Sequence, residues 1–322
     1  MLLLPQNIRI FRYDSLKASH VFVLQICRDI VAALCSSKGK KHKKFLAHDQ
    51  GNSFVFTLFD QLGYLASREQ MARIIAVFNQ AGGVAKTTVT QNLGYHLARR
   101  NHKVLLIDMD PQSSLTTFMG LDPHEIEMSL FEVLVKEKPL HILENVLDMD
   151  FSPTNTDLSA AEIQLVNEDL REFRLKSAIE PVQDEYDFIL IDCPPSLGLL
   201  SYLSLVAATH ILVPIETEFK AFNGTEKVLE TIARVRSKAN RKLKIAGFVP
   251  TRHDARKTQN IRCLGAIQEQ IADIAPIFPP IPNTTNFPNA AEARLPLALY
   301  DPKQKSALNS LEQLADAMEK LS

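Results

Sequence analysis

Short runs of apolar, largely β-branched residues recur from Met71 onward, each closed by polar positions: Ile74–Phe78, Val104–Ile107, Phe188–Ile191, Ile211–Val213 and Ile245–Val249. Runs this continuous predict strands buried on both faces, not the alternating strands of a half-exposed sheet. Between them, apolar residues return at helical spacing over Thr87–Arg100, Leu158–Ile179, Thr225–Ser237 and Gln259–Ile274. The alternation predicts an α/β fold, a three-layer, doubly wound and mostly parallel sheet. Several strands end in polar residues: Asn79-Gln80, Asp108-Met109-Asp110, Asp192-Cys193-Pro194 and Thr251-Arg252. In such a sheet the ligand crevice lies outside the carboxyl ends of the strands, so these residues are the candidate site.

Residues 1–70 break the pattern. An amphipathic helix is predicted around Ser15–Cys35, followed by the basic run Lys38–Lys44 (KGKKHKK) and an apolar patch at Phe54–Tyr64. Ten Lys/Arg face five Asp/Glu there, against 26 and 32 in the remainder. The split predicts an N-terminal extension, 1–70, and one domain, 71–322. Two readings of the extension compete: an accessory segment whose basic loop touches nucleic acid, or an upstream stretch ahead of a true start at Met71.

The net charge of −1 advertises neither nucleic acid nor membrane. Four cysteines without a CxxC pair or metal-ligand spacing fit a reducing cytoplasm. No stretch of 18 uncharged apolar residues occurs. Ser196 has no glycine two residues before it, so it forms no nucleophile elbow.

Chemistry concentrates in Phe78–Thr88 (FNQAGGVAKTT), where a strand runs into two glycines, a lysine and two threonines and then opens a helix. Small residues let backbone N–H groups turn inward on a phosphate, and a helix N-terminus favours the anion. Gly82, Gly83, Val84, Ala85, Lys86, Thr87 and Thr88 form this candidate cradle, with Lys86 for the β/γ oxygens and the Thr87 hydroxyl for Mg²⁺. The pattern G-x-x-x-x-G-K-[ST] is not met, because Gln80 and Ala85 stand where its glycines belong. Alone, the stretch also fits a strand–helix turn with a solvated lysine. Val104–Ser114 (VLLIDMDPQSS) and Tyr186–Ser196 (YDFILIDCPPS) add carboxylates at strand tips, suited to Mg²⁺ and a nucleophilic water.

With these motifs the chain from about Arg73 to Met318 resembles the ParA/MinD family of deviant Walker ATPases, and within it the Soj-like ParA branch. The marks are Asn79–Thr88, Leu105–Gln112 (LLIDMDPQ) and Asp187–Gly198 (DFILIDCPPSLG), then more weakly Thr251–Thr258, Ile281–Glu292 and Leu297–Ala307. The resemblance implies a P-loop NTPase that binds ATP and Mg²⁺. Lys86 and Asp110 would be catalytic, Asp110 orienting the attacking water. Thr87, Asp108 and Asp192 would serve the metal, and Thr251, Arg252 and Pro282 would border the adenine. It further implies an ATP-bound homodimer that binds DNA nonspecifically, a ParB-like or cargo-adaptor partner that stimulates hydrolysis, and a cytoplasmic, nucleoid-associated location. Arg234, Arg236, Lys238, Arg241, Lys242 and Lys244 are the candidate DNA contacts, with Lys303 and Lys305.

The sequence departs from the family where a lysine should precede the double glycine: Ala81 stands there. A methyl group supplies no cation, so hydrolysis would be slow, absent, or served by another cation such as Lys220 or Arg256. Two other classes compete. A MinD-like membrane switch would need a basic amphipathic tail, whereas Leu308–Ser322 carries Glu312, Asp316 and Glu319 against Lys320 alone. An iron–sulfur reductase would need partners for Cys193 and Cys263.

Overall fold

The computed structural model describes residues 72–321, the side chains of 219–223 excepted; the extension read in 1–70 lies outside the described residues. All five expected strands form: β1 (Arg73–Val77), β2 (Val104–Asp108), β5 (Phe188–Asp192), β6 (His210–Glu216) and β7 (Lys244–Thr251). Two shorter strands join them, β3 (Leu143–Val146) and β4 (Met149–Ser152). The sheet order is β3-β4-β2-β5-β1-β6-β7, parallel throughout except for the antiparallel β3–β4 pair at one edge. Leu147 and Asp148, both left-handed at φ 53° and 64°, turn that hairpin, as a two-residue turn of primed type requires.

Alternate strand residues feed two cores. Ile74, Ala76, Leu105, Ile107, Ile189 and Ile191 face one layer. That layer holds α3 (Leu130–Lys136), α4 (Leu158–Gln164), α5 (Arg174–Ile179), α6 (Leu199–Ala207), α7 (Phe219–Lys238) and α8 (Thr258–Ile271). Ile75, Val77, Leu106, Phe188 and Leu190 face the other, against α1 (Lys86–Ala98), α2 (Ser114–Phe118) and the last helix, α11 (Lys305–Glu319). Short α9 (Asn286–Glu292) and α10 (Leu297–Tyr300) precede α11. Burying the five longer strands on both sides is what made their runs uninterrupted in sequence.

One predicted helix is divided. Leu158–Ile179 does not run through: α4 ends at Gln164, Leu170 turns left-handed at φ 54°, and Arg171 donates to the Leu165 carbonyl before α5 begins. A non-glycine residue with φ above zero cannot sit inside a right-handed helix.

The tail helix is held from two sides. Leu311, Leu314, Ala315 and Met318 are buried against the sheet. Arg100, just past α1, pairs with Glu312, Asp316 and Glu319, and His96 Nδ1 lies 2.9 Å from Glu312.

Candidate functional site

Parallel pairing sets Val77 and Asp108 level with Asp192, so three strand ends open on one crevice. The chain leaving β1 is fixed at once. Asn79 Nδ2 donates to the Pro214 carbonyl at 2.7 Å, and its Oδ1 accepts from the Ala81 N–H at 3.0 Å. The loop then crosses exposed Ala81, Gly82 and Gly83. Gly83 has φ 77°, and Ala85 is also left-handed at φ 66°, ψ 30°. A left-handed alanine is strained where glycine would not be, at about 1 kcal/mol. No side chain caps α1 and no acid lies in its first turn, the condition for an anion to take the cap's place.

Lys86 is 7% exposed, and its Nζ donates to the Ala81 carbonyl at 2.9 Å. Burial lowers its pKa, opposed by Asp192, Cys193 and Asp110. Thr87 Oγ1 donates to Asp192 Oδ2 at 2.7 Å, and Thr90 Oγ1 reaches Asp192 Oδ1 at 3.3 Å. Asp108 is wholly buried; its Oδ2 accepts from both the N–H and the hydroxyl of Thr116 at 2.8 Å, and its Oδ1 from the Asp110 N–H at 3.2 Å. Asp110 Oδ1 accepts from the Gln112 N–H at 3.0 Å. Burial raises the pKa of Asp108 to about 7 and pushes Asp192 well up, the neighbouring Asp108 carboxylate adding to the latter. Crowded carboxylates of this kind are relieved by a cation.

A hard-cation site fits here. Thr87 and Asp192 offer oxygen only, matching Mg²⁺, which is held by few protein oxygens beside phosphate and water. Among the described residues no cluster of three or more His, Cys, Asp or Glu could hold a metal unaided; the nucleotide would have to complete the shell.

Beside α1 opens a cavity of about 470 Å³, with Thr88, Phe118, Ile281, Pro282 and Phe287 in its walls. Thr251 and Arg252 border it; Thr251 is wholly buried and its Oγ1 donates to the Val84 carbonyl at 3.1 Å, tying β7 to the phosphate loop. Arg252, left-handed at φ 51°, reaches Glu216 at 3.5 Å. Phe118, Phe287, Thr90 and Thr116 escaped the sequence reading. Thr90 carries a usable signal, since it lies one helical turn from Thr87 on the same face; the two phenylalanines come from separate segments with none.

The six basic residues of the Arg234–Lys244 stretch are all exposed. Arg236 Nε donates to the Leu243 carbonyl, while Arg234 and Lys238 share a shallow groove with Arg171. Lys303 and Lys305 are exposed as well. The Arg256 guanidinium is bound to Asp254 by two hydrogen bonds, at 2.9 and 3.1 Å, and the Lys220 side chain lies outside the described residues. Cys193 is buried and Cys263 half-buried, neither in a disulfide.

A family model described as an AAA domain matches residues 72–245. An uncharacterized protein of Mycobacterium tuberculosis (strain H37Rv) is 40% identical over 242 residues, 74% of this chain and 76% of that protein. The sporulation initiation inhibitor protein Soj of Bacillus subtilis is 37% identical over 240 residues, 74% of this chain and 94% of Soj. Among solved structures, cobyrinic acid a,c-diamide synthase from Mycobacterium smegmatis with bound ADP and magnesium superposes with a TM-score of 0.68 at 34% identity, covering 78% of this chain and 95% of that one. With its phosphate loop, paired strand-end aspartates and parallel sheet, the chain belongs to the ParA/MinD family of P-loop ATPases, alongside Soj.

Proposed function

We propose that this protein is a Mg²⁺-ATP-driven partition or cargo-positioning ATPase: it binds ATP, pairs with a second copy, binds DNA nonspecifically and is turned over by a partner protein. The observation that carries the nucleotide half is the Thr87–Asp192 contact beside buried Lys86. Thr87 and Asp192 would hold the ion, whose charge would offset that of the triphosphate. Asp110, at the lip of the same crevice, would orient a water. Gly82–Thr88 would wrap the phosphates, and Thr251, Arg252 and Pro282 would border the base. The exposed basic stretch Arg234–Lys244 supports the DNA half, because nonspecific binding needs clustered cations on one surface.

The MinD-like alternative draws less support from the tail. The apolar face of α11 is already buried and its acidic face is paired to Arg100, which leaves that helix no apolar surface for lipid. No described helix is long and apolar enough to cross a membrane.

Co-sedimentation of the full chain with plasmid-length DNA tests the reading. Pelleting with ATP, but not with ADP or without nucleotide, is expected. Equal pelleting in all three states would overturn the ATP-gated DNA reading, and lipid-vesicle binding in its place would favour the alternative.

A further inference from the structure

The wall of the base cavity and the loop of the water-orienting carboxylate are two ends of one short element. Helix α2 begins directly after that loop, with Ser113 left-handed at φ 54° and its N–H donating to the Asp110 carbonyl at 2.8 Å. Thr116, in the middle of α2, gives both its N–H and its hydroxyl to Asp108, and its Oγ1 also accepts from the Thr154 N–H at 3.1 Å. Phe118, the last residue of α2, stands in the cavity wall, as does Phe287. Its carbonyl accepts from buried Gln91 of α1 at 2.7 Å. From Asp108 to Phe118 there is thus no slack segment. Hydrogen bonds connect the short helix that ends at Phe118 to Asp108 and to the backbone of Asp110.

We propose that Phe118 is a positioning residue: contact between its ring and the base of a bound nucleotide is passed along α2 to the Asp110 loop, so that the loop is ordered by a nucleoside triphosphate and not by triphosphate alone. This rests on the nucleotide reading above and adds to it which ligand feature sets the loop. Aromatic rings hold bases by stacking regardless of base identity, and Phe118 and Phe287 are the two aromatic side chains in that wall.

The test uses the full chain as wild type, Phe118→Ala and Phe118→Tyr. Calorimetry gives Kd for Mg²⁺-ATP and for Mg²⁺-tripolyphosphate, and amide hydrogen exchange follows the peptide spanning 108–118. In Phe118→Ala, Kd for ATP should rise about tenfold, while Kd for tripolyphosphate stays within about twofold, which also reports an intact fold. In the wild type, ATP should slow exchange of the 108–118 amides, whose donors include Gln112 and Ser113, beyond what tripolyphosphate does. Phe118→Ala should abolish that difference and Phe118→Tyr restore it. Equal losses for ATP and tripolyphosphate, or unchanged ATP affinity, would overturn the role of Phe118. Equal protection by the two ligands in the wild type would overturn transmission to the loop. A wild type that binds tripolyphosphate but not ATP, or neither, would instead remove the nucleotide reading itself.

Discussion

The Thr87 hydroxyl donates to the Asp192 carboxylate across 105 positions of sequence, at 2.7 Å. The two belong to the first turn of α1 and the tip of β5, and parallel pairing of β1 with β5 brings them together. Replacing Thr87 with valine keeps the shape and removes the hydroxyl. Under the proposed function that hydroxyl serves the ion, and losing such a group typically costs about 10–100-fold in metal affinity, so ATP affinity in Mg²⁺ should fall about tenfold or more. Affinity measured with a chelator should barely change. A loss of equal size with and without Mg²⁺ would show that Thr87 serves the backbone and not the ion.

Lys86→Ala should abolish measurable ATP binding while leaving thermal stability close to that of the wild type. The side chain is buried, burial lowers its pKa even with Asp192, Cys193 and Asp110 nearby, and under the proposed function its charge would meet the phosphate oxygens. A collapse of the melting temperature with nucleotide binding retained would make Lys86 a structural cation.

Ala85 occupies a left-handed position. Ala85→Gly relieves that strain but gives the unfolded chain more freedom, so the net gain should be at most about 1 kcal/mol. For a chain this size that is about 2 °C in Tm at most. A lower Tm in the glycine variant would show that the loop is comfortable with alanine.

Ala81→Lys places a cation before the double glycine. If a cation at this position sets the rate, ATP turnover should rise about tenfold or more, since transition-state cations are worth powers of ten in phosphoryl transfer. Matching rates would mean that speed is set elsewhere.

The junction of α1 and α11 should weaken in acid. Burial lowers the His96 pKa below its usual 6.5 in spite of Glu312, so the pair is held as a neutral imidazole against a carboxylate. Burial alone would raise the Glu312 pKa, but hydrogen bonds from Arg100 and His96 bring it below 4.5. Both folded values lie below the unfolded ones. Each group therefore contributes stability above its unfolded pKa and loses it as pH falls, His96 first, from about 6.5, then Glu312, from about 4.5. His96→Gln should flatten the decline of Tm between pH 7 and 5 and spare the lower one. An unchanged slope in the upper window would place the titration elsewhere.

The five parallel strands and the phosphate loop were legible because burial on both faces leaves unbroken apolar runs, and because the loop motif is local. β3 and β4 were not. They are four residues each, partly polar, and their turn at Leu147-Asp148 lacks the glycine or asparagine that marks such hairpins. The break at Leu170 was hidden by apolar spacing that continues across it, so periodicity alone ran α4 into α5. At the site, residues within a motif were readable, whereas Thr116 and Phe118 acquire their roles only from what they touch. Thr116 reads as an ordinary helix residue until it is seen giving two hydrogen bonds to Asp108.

The sheet order also bears on how the chain is born. β1 is the first described strand, yet it lies between β5 and β6, and Asn79 at its tip waits for Pro214, 135 positions later. At a ribosome adding about 5–20 residues per second, that interval is on the order of ten seconds. For most of it the nascent loop has neither its carboxylate nor its anchoring carbonyl, and β5 and β6 are not yet there to pair with β1. A site completed only by these later strands cannot help to template the earliest folding of β1, whatever ligand it comes to hold.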